Sequence, residues 1–221
     1  MKQKEEVQVI WKEQQRTLKL EGEPVLEYSL SWPEVRGAGF GGRWITRYYA
    51  RLAKSWQRRW EREIYWKACL DLAAQREGAH PFTPWTGSLS GEVVFHQDGL
   101  LSLRFLGGES RGKRGTNQVR WGDVWRVREG VPCALEELCG NERGWKKRMW
   151  AELFAQGEQR RQGGDCFLDG DWQKKAISAK PIKDYCLTQD GVELSLPQGA
   201  ASPMAEGCPV FLLPHKRDKE Q

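Results

Sequence analysis

The chain has 221 residues, 39% hydrophobic and 29% charged, with 12 Trp, a balance too apolar and aromatic for a disordered chain and long enough for one or two compact units. Thirty-five Lys and Arg against 30 Asp and Glu leave a formal charge of +5, so charge matters only where it clusters. No apolar run approaches the roughly 18 to 20 residues of a spanning helix, and the opening MKQKEEVQVIWKEQQ lacks the apolar stretch of a secretory signal. As written, the chain is expected in the cytoplasm, or outside it if an export segment has been removed.

Residues 7–31 read as two or three strands: VQVIW, TLKL and PVLEYSLSWP, the last alternating Val25, Glu27, Ser29 against Leu26, Tyr28, Leu30. At Pro33 the pattern changes. Gly37, Gly39, Gly41 and Gly42 predict a loop that opens into the longest helix, about Arg43 to Ala74. At 100° per residue, Ile45, Tyr48, Tyr49, Leu52, Trp56 and Trp60 share one sector, and Arg43, Arg47, Arg51, Lys54, Arg58 and Arg62 lie roughly opposite. The apolar side should lie on a sheet with its Trp residues in the core, leaving a basic ridge outside. Between Gly41 and Lys67 eight basic residues face only two acids, Glu61 and Glu63, so much of the chain's positive excess sits here.

GAHPFTPWTGS is turn-rich and predicts a link to a hairpin of GEVVFHQ and LLSLRFLG, closed by a tight turn at Asp98 and Gly99. GGESRGKRGT reads as a loop, NQVRWGDVWRVRE as a strand and ALEELCG as a short acidic segment. A second helix is predicted from about Glu142 to Gln159, with Trp145, Met149, Leu153 and Phe154 at helical spacing and Trp150 alongside, then a short one over Asp171 to Ser178. KDYCLT, VELSLP and CPVFLLP return to strands, and the tail HKRDKEQ is expected to fray. This order predicts an α+β fold of antiparallel sheets, with one long amphipathic helix and a second helix packed on them. Two lobes are expected, 1–80 and 81–221.

The residues for catalysis or metal binding do not assemble in the sequence. Cys69, Cys133, Cys139, Cys166, Cys186 and Cys208 form no CxxC pair, only three His are present, and reduced, mostly buried thiols are expected. His80, His96 and His215 stand in loop, strand-end and tail contexts, and Glu136 and Glu137 read as a solvated helix face. The glycine loop carries no Lys-Ser pair for phosphate cradling. No cofactor, metal or enzymatic reaction is expected. Arg111, Lys113 and Arg114 offer a contact site for anions. Trp32, Trp85, Trp121, Trp125 and Trp172, outside the helix stripes, would suit sugar rings if exposed and the core if not.

YCLTQDGVELSLPQGAASPMAEGCPVFLLP resembles the closing motif of the RsiV/PdaC-type domain family: an aromatic-led strand, a turn at Asp190 and Gly191, a second strand, a loop with Pro203, Ala205, Glu206 and Gly207, and a last strand from Val210 to Leu213. RFLGGESRG is similar to that family's strand and two-glycine loop, and RVREGVPCALEELC to its turn and Leu-rich helical start. Residues 16–76 are similar in layout to the half that precedes this domain in the same proteins. The resemblance implies an α+β interaction module of the cell envelope or peptidoglycan, the family including a lysozyme receptor and a partner domain of a peptidoglycan deacetylase. It points to Gly107, Gly108, Glu109, Arg111, Lys113 and Arg114 as a binding loop, although Glu109-Ser110-Arg111-Gly112 stands where the family usually carries Ala-His-Gly. Lysozymes are basic, and a chain at +5 is a poor electrostatic match for one. The expected function is a non-enzymatic binding module for a protein or glycan. The alternative is a cytosolic binder of nucleic acid or acidic protein through the ridge Arg43 to Arg62.

Overall fold

The computed structural model describes residues 7–76, 81–140, 143–164, 166–180 and 184–215. The N-terminal strand segments form one long hairpin of β1 (Gln8–Leu20) and β2 (Glu23–Arg36). Its two-residue turn, Glu21 and Gly22, has positive φ at both positions (51° and 88°), the geometry whose twist matches that of flanking strands. Leu26, Tyr28 and Leu30 are buried and alternate as the sequence predicts. The strand does not end at Pro33, which pairs opposite Trp11. β2 is bonded to its other neighbour only over Leu26–Leu30, so Pro33 lies beyond that ladder, where a missing N–H is tolerated.

Helix α1 (Gly39–Arg59) starts earlier than predicted, within the glycine run, because Thr46 Oγ1 accepts from the Val35 N–H at 2.9 Å and ties the first turns to β2. It passes through a single π turn, Trp60–Ile64, into α2 (Tyr65–Gln75) without a break. The buried positions include Ile45, Tyr49, Ala53, Trp60, Ile64, Ala68, Cys69 and Leu72. This helix is a crossover. It carries the chain from β2 to β3 (Trp85–Gln97), which pairs with β2 in parallel, Leu26 opposite Trp85 and Leu30 opposite Leu89. A parallel pair needs such a connection, and this one is the exception in an otherwise antiparallel layout.

β3 turns at Asp98 and Gly99 into β4 (Leu100–Ser110), followed by β5 (Thr116–Arg126) and the short β6 (Val131–Pro132). The six strands follow one another in sheet order. Gly107 to Ser110, predicted as loop, are the end of β4, so only Arg111 onward forms the turn. Leu101, Ser102, Leu103 and Phe105 are all buried along this strand, and Gly107 and Gly108 continue it as buried positions.

By its contacts the chain divides into two compact units, and the division does not fall at residue 80. The first holds the chain up to Gly91 with Phe105–Gln118 and Val127–Gly130, and the second holds Glu92–Arg104, Val119–Arg126 and everything from Val131. The parallel β2–β3 pair is the reason: residues beyond 80 complete the sheet that the long helix covers.

In the second unit, α3 (Leu135–Leu138), α4 (Trp145–Gly163) and α5 (Trp172–Ala179) accompany an antiparallel sheet of β7 (Tyr185–Leu187), β8 (Gly191–Ser195) and β9 (Val210–Pro214). Trp145, Met149, Leu153 and Gly157 of α4 are buried at four-residue spacing. Trp172 stacks on Phe211 with centroids 6.1 Å apart. The open edge of β9 is closed by side chains of α4: Gln156 both donates to the Leu212 carbonyl and accepts from its N–H, and Arg160 donates to the Val210 carbonyl. Side-chain pairing of this kind blunts an edge that would otherwise recruit a strand.

Candidate functional site

All six predicted ridge residues, Arg43, Arg47, Arg51, Lys54, Arg58 and Arg62, are exposed, and none forms an ion pair with a described residue. The two acids between Arg43 and Lys67 are engaged elsewhere. Glu61 accepts from Tyr28 Oη at 2.6 Å, from Gln57 and from Arg16, while Glu63 pairs with Arg59. Burial and then this carboxylate push the Tyr28 phenol up to about 12. The ridge is thus left with its full charge.

Sequence reasoning missed what lies beside it. Phe40, Trp44 and Tyr48, at i, i+4 and i+8, are 64%, 45% and 44% exposed and form a row next to Arg43, Arg47 and Arg51. Phe40 and Trp44 meet edge to face at 5.9 Å. Trp66 and Leu70 are exposed further along. The exposed Trp side chains are therefore helix residues, contrary to expectation, while Trp85, Trp125 and Trp172 are buried. The signal was present in Tyr48-Tyr49: adjacent helical positions are about 100° apart, so the narrow face on the sheet takes Tyr49 and leaves Tyr48 out. Guanidinium groups offer paired donors to phosphate or carboxylate, and a neighbouring aromatic row offers a flat apolar surface.

The underside holds this face in place. Tyr49 stacks on Phe105 at 4.9 Å, and Trp60, wholly buried, lies against Gly87, where a Cβ would come within 2.7 Å of the indole. Only glycine fits there. Trp60 Nε1 donates to Glu109 Oε1 at 3.0 Å, and Arg59 grips both Glu109 oxygens at 2.8 and 2.9 Å. Glu109 is accordingly a brace between strand end and helix. Gly107 and Gly108 also sit in β4, and of the predicted binding loop only Arg111, Lys113 and Arg114 lie in an exposed turn.

In the second unit Glu193 of β8 forms the centre of a half-buried cluster. Arg104 reaches both of its oxygens (3.1 and 2.9 Å), Arg120 donates to Oε2 at 2.8 Å, and the Cys186 thiol lies 3.5 Å from the same atom. Burial, then the Glu193 charge, push the Cys186 thiol up to about 12, so it is inert as a nucleophile. Burial alone would raise the Glu109 and Glu193 carboxyls, but their guanidinium partners hold both below the ordinary 4.5. A folded value below the unfolded one stabilises the protein above about pH 4.5 and is lost as pH falls through the folded values. The urea midpoint is expected to drop between about pH 6 and pH 3.5, and a Glu109→Gln/Glu193→Gln variant, weaker at neutral pH, should show a flatter decline. Parallel curves for the two proteins would reject these carboxylates as the source.

His96 and His215 are exposed, the latter helping to line a groove of about 320 Å3 together with Leu138, Cys139, Trp145, Met149, Val192 and Leu213, among others. His80 lies outside the described residues, as does the tail 216–221. No disulfide links the six cysteines, and Cys69, Cys133 and Cys186 are buried. Among the described residues no three His, Cys, Asp or Glu are grouped to hold a metal, and no helix is long and apolar enough to cross a membrane.

No protein-family model matches the chain, and no curated protein does. Solved structures do. A DUF3298-family protein from Bacteroides fragilis superposes with a TM-score of 0.62 at 13% identity, over 96% of this chain and 92% of that one. A DUF3298-family protein from Pseudomonas aeruginosa PAO1 gives 0.60 at 15% identity, over 95% and 90%. At these identities the likeness is one of fold, and across nearly its whole length the chain is folded similarly to DUF3298 proteins.

Proposed function

We propose that the chain is a non-enzymatic binding module that takes an acidic polymer of the cell envelope on the outer face of α1. The observation that carries the reading is the row Arg43, Arg47, Arg51, unpaired among the described residues, beside the exposed row Phe40, Trp44, Tyr48. Uncompensated Arg is costly to keep bunched on one face, and exposed large aromatics rarely cluster without a partner. An anionic chain with apolar or flat units along it satisfies both rows at once. The envelope assignment is supported by the resemblance of Gly91 to Pro214 to the RsiV/PdaC-type family. A second reading, single-stranded nucleic acid, draws on the same pairing of Arg with Trp44 and Tyr48, since bases stack on aromatic rings.

Co-sedimentation with intact cell-wall sacculi tests the proposal at low salt and at about 0.15 M, where the screening length is roughly 8 Å. Binding is expected at both, weaker at the higher salt. A variant with Arg43→Glu, Arg47→Glu and Arg51→Glu should bind at least about tenfold less well while melting normally, because exposed substitutions change stability by only about 0.5 kcal/mol each. Undiminished binding by the variant would overturn the assignment of the face. Tighter binding of a single-stranded oligonucleotide than of sacculi would decide for the second reading.

A further inference from the structure

A recess of about 360 Å3 in the first unit lies between the end of α2 and the β4–β5 turn, lined by Asp71, Gln75, Pro81, Thr83, Arg111, Gly112, Lys113 and Arg114. Three cations thus meet one carboxylate, and that carboxylate is occupied: Asp71 Oδ2 accepts from Trp85 Nε1 at 2.9 Å. None of the three cations forms an ion pair with a described residue. The turn that carries them is braced from within. The Arg114 N–H donates to the Arg111 carbonyl at 3.1 Å, and the Ser110 hydroxyl lies 3.1 and 3.2 Å from the Gly112 and Arg114 carbonyls, sharing its hydrogen between them. The Arg111 guanidinium rests over the buried Trp85 ring, 5.1 Å from its centroid, which fixes its plane and leaves its edge donors available. The Gln75 amide and the Thr83 hydroxyl, whose side chains hydrogen-bond to no described residue, add neutral donors to the lining.

We propose that this recess binds a phosphate dianion, the terminal phosphate of a phosphomonoester. With Asp71 counted against Arg111, Lys113 and Arg114 the walls carry a net two positive charges, the complement of a dianion and more than a single carboxylate or phosphodiester needs. A recess of this size holds the phosphate together with a small attached group. The site is separate in residues from the outer face of α1 and stands without that reading.

Isothermal titration of the full chain with inorganic phosphate, phenyl phosphate and dimethyl phosphate tests it. The two dianions are expected to bind, phenyl phosphate at least as well as phosphate, and the dimethyl diester at least about tenfold more weakly. Lys113→Glu/Arg114→Glu, on exposed side chains that leave Arg111 on Trp85, should abolish binding with an unchanged melting temperature. The Arg43→Glu, Arg47→Glu, Arg51→Glu variant should titrate as the parent does, so failure of one site is told apart from failure of the other. Equal binding of the diester would overturn the dianion assignment, and phosphate binding that survives Lys113→Glu/Arg114→Glu would overturn the site.

Discussion

Trp60→Ala should be among the most damaging single changes in the first unit, costing about 3–5 kcal/mol. The indole is wholly buried, 5.2 Å from Tyr28 and 5.5 Å from Trp56 between ring centroids, and its removal leaves a cavity over Gly87 that the sheet backbone cannot collapse to fill. Part of the loss comes from Glu109, which keeps Arg59 but loses the indole N–H. The reciprocal change, Gly87→Val, leaves Trp60 in place chemically and evicts it sterically; a loss of about 1–3 kcal/mol is expected from overpacking. Urea unfolding measures both. A cost below about 1 kcal/mol for Trp60→Ala would mean that the helix is held by something other than this lock.

Glu193→Leu is expected to cost on the order of 3 kcal/mol, for a different reason. The leucine fills the space, but Arg104 and Arg120 are left about a site from which the acid they shared has gone. Arg104 retains Glu92, an exposed partner, which limits the damage on that side. If the penalty is charge and not shape, Arg104→Leu/Arg120→Leu/Glu193→Leu should recover most of it, since replacing a whole buried ionic cluster by apolar groups is often close to neutral. A triple variant no better than Glu193→Leu would point instead to packing around Cys186.

Much of this architecture was legible in the sequence because period and turn chemistry agreed. Asp98-Gly99 closes its hairpin, Trp145, Met149 and Leu153 mark the buried stripe of α4, and the ridge from Arg43 to Arg62 is exposed as its spacing required. The misreadings share a cause, which is that they depend on partners far along the chain. Nothing local to Pro33 shows that β3 stops bonding to β2 before reaching it. Gly107 and Gly108 look like a loop until their places in β4 are known, and Glu109 looks like a surface acid until Arg59 and Trp60 are brought against it. The division into lobes at residue 80 failed to follow the contacts for the same reason, a parallel pairing that no hairpin signal announces. The exposed row Phe40, Trp44, Tyr48 is the opposite case: residue type puts Tyr48 with the buried sector, and Phe40 lies ahead of a helix expected to begin at Arg43.

The crossover between β2 and β3 also sets a schedule for synthesis. The inner face of the long helix is covered on one side by β2, which precedes it and brings Tyr28 against Trp60, and on the other by residues that come after it in the chain: Gly87 under Trp60, Phe105 on Tyr49, Glu109 on Arg59. A ribosome adds about 5–20 residues per second, so Tyr49 and Trp60 emerge on the order of seconds before these later partners do. During that interval the nascent chain holds an apolar stripe covered only by the β1–β2 hairpin, backed by a row of uncovered aromatics. The finished molecule hides the first of these, but until then the chain in the making is open to association through surface that the end product buries.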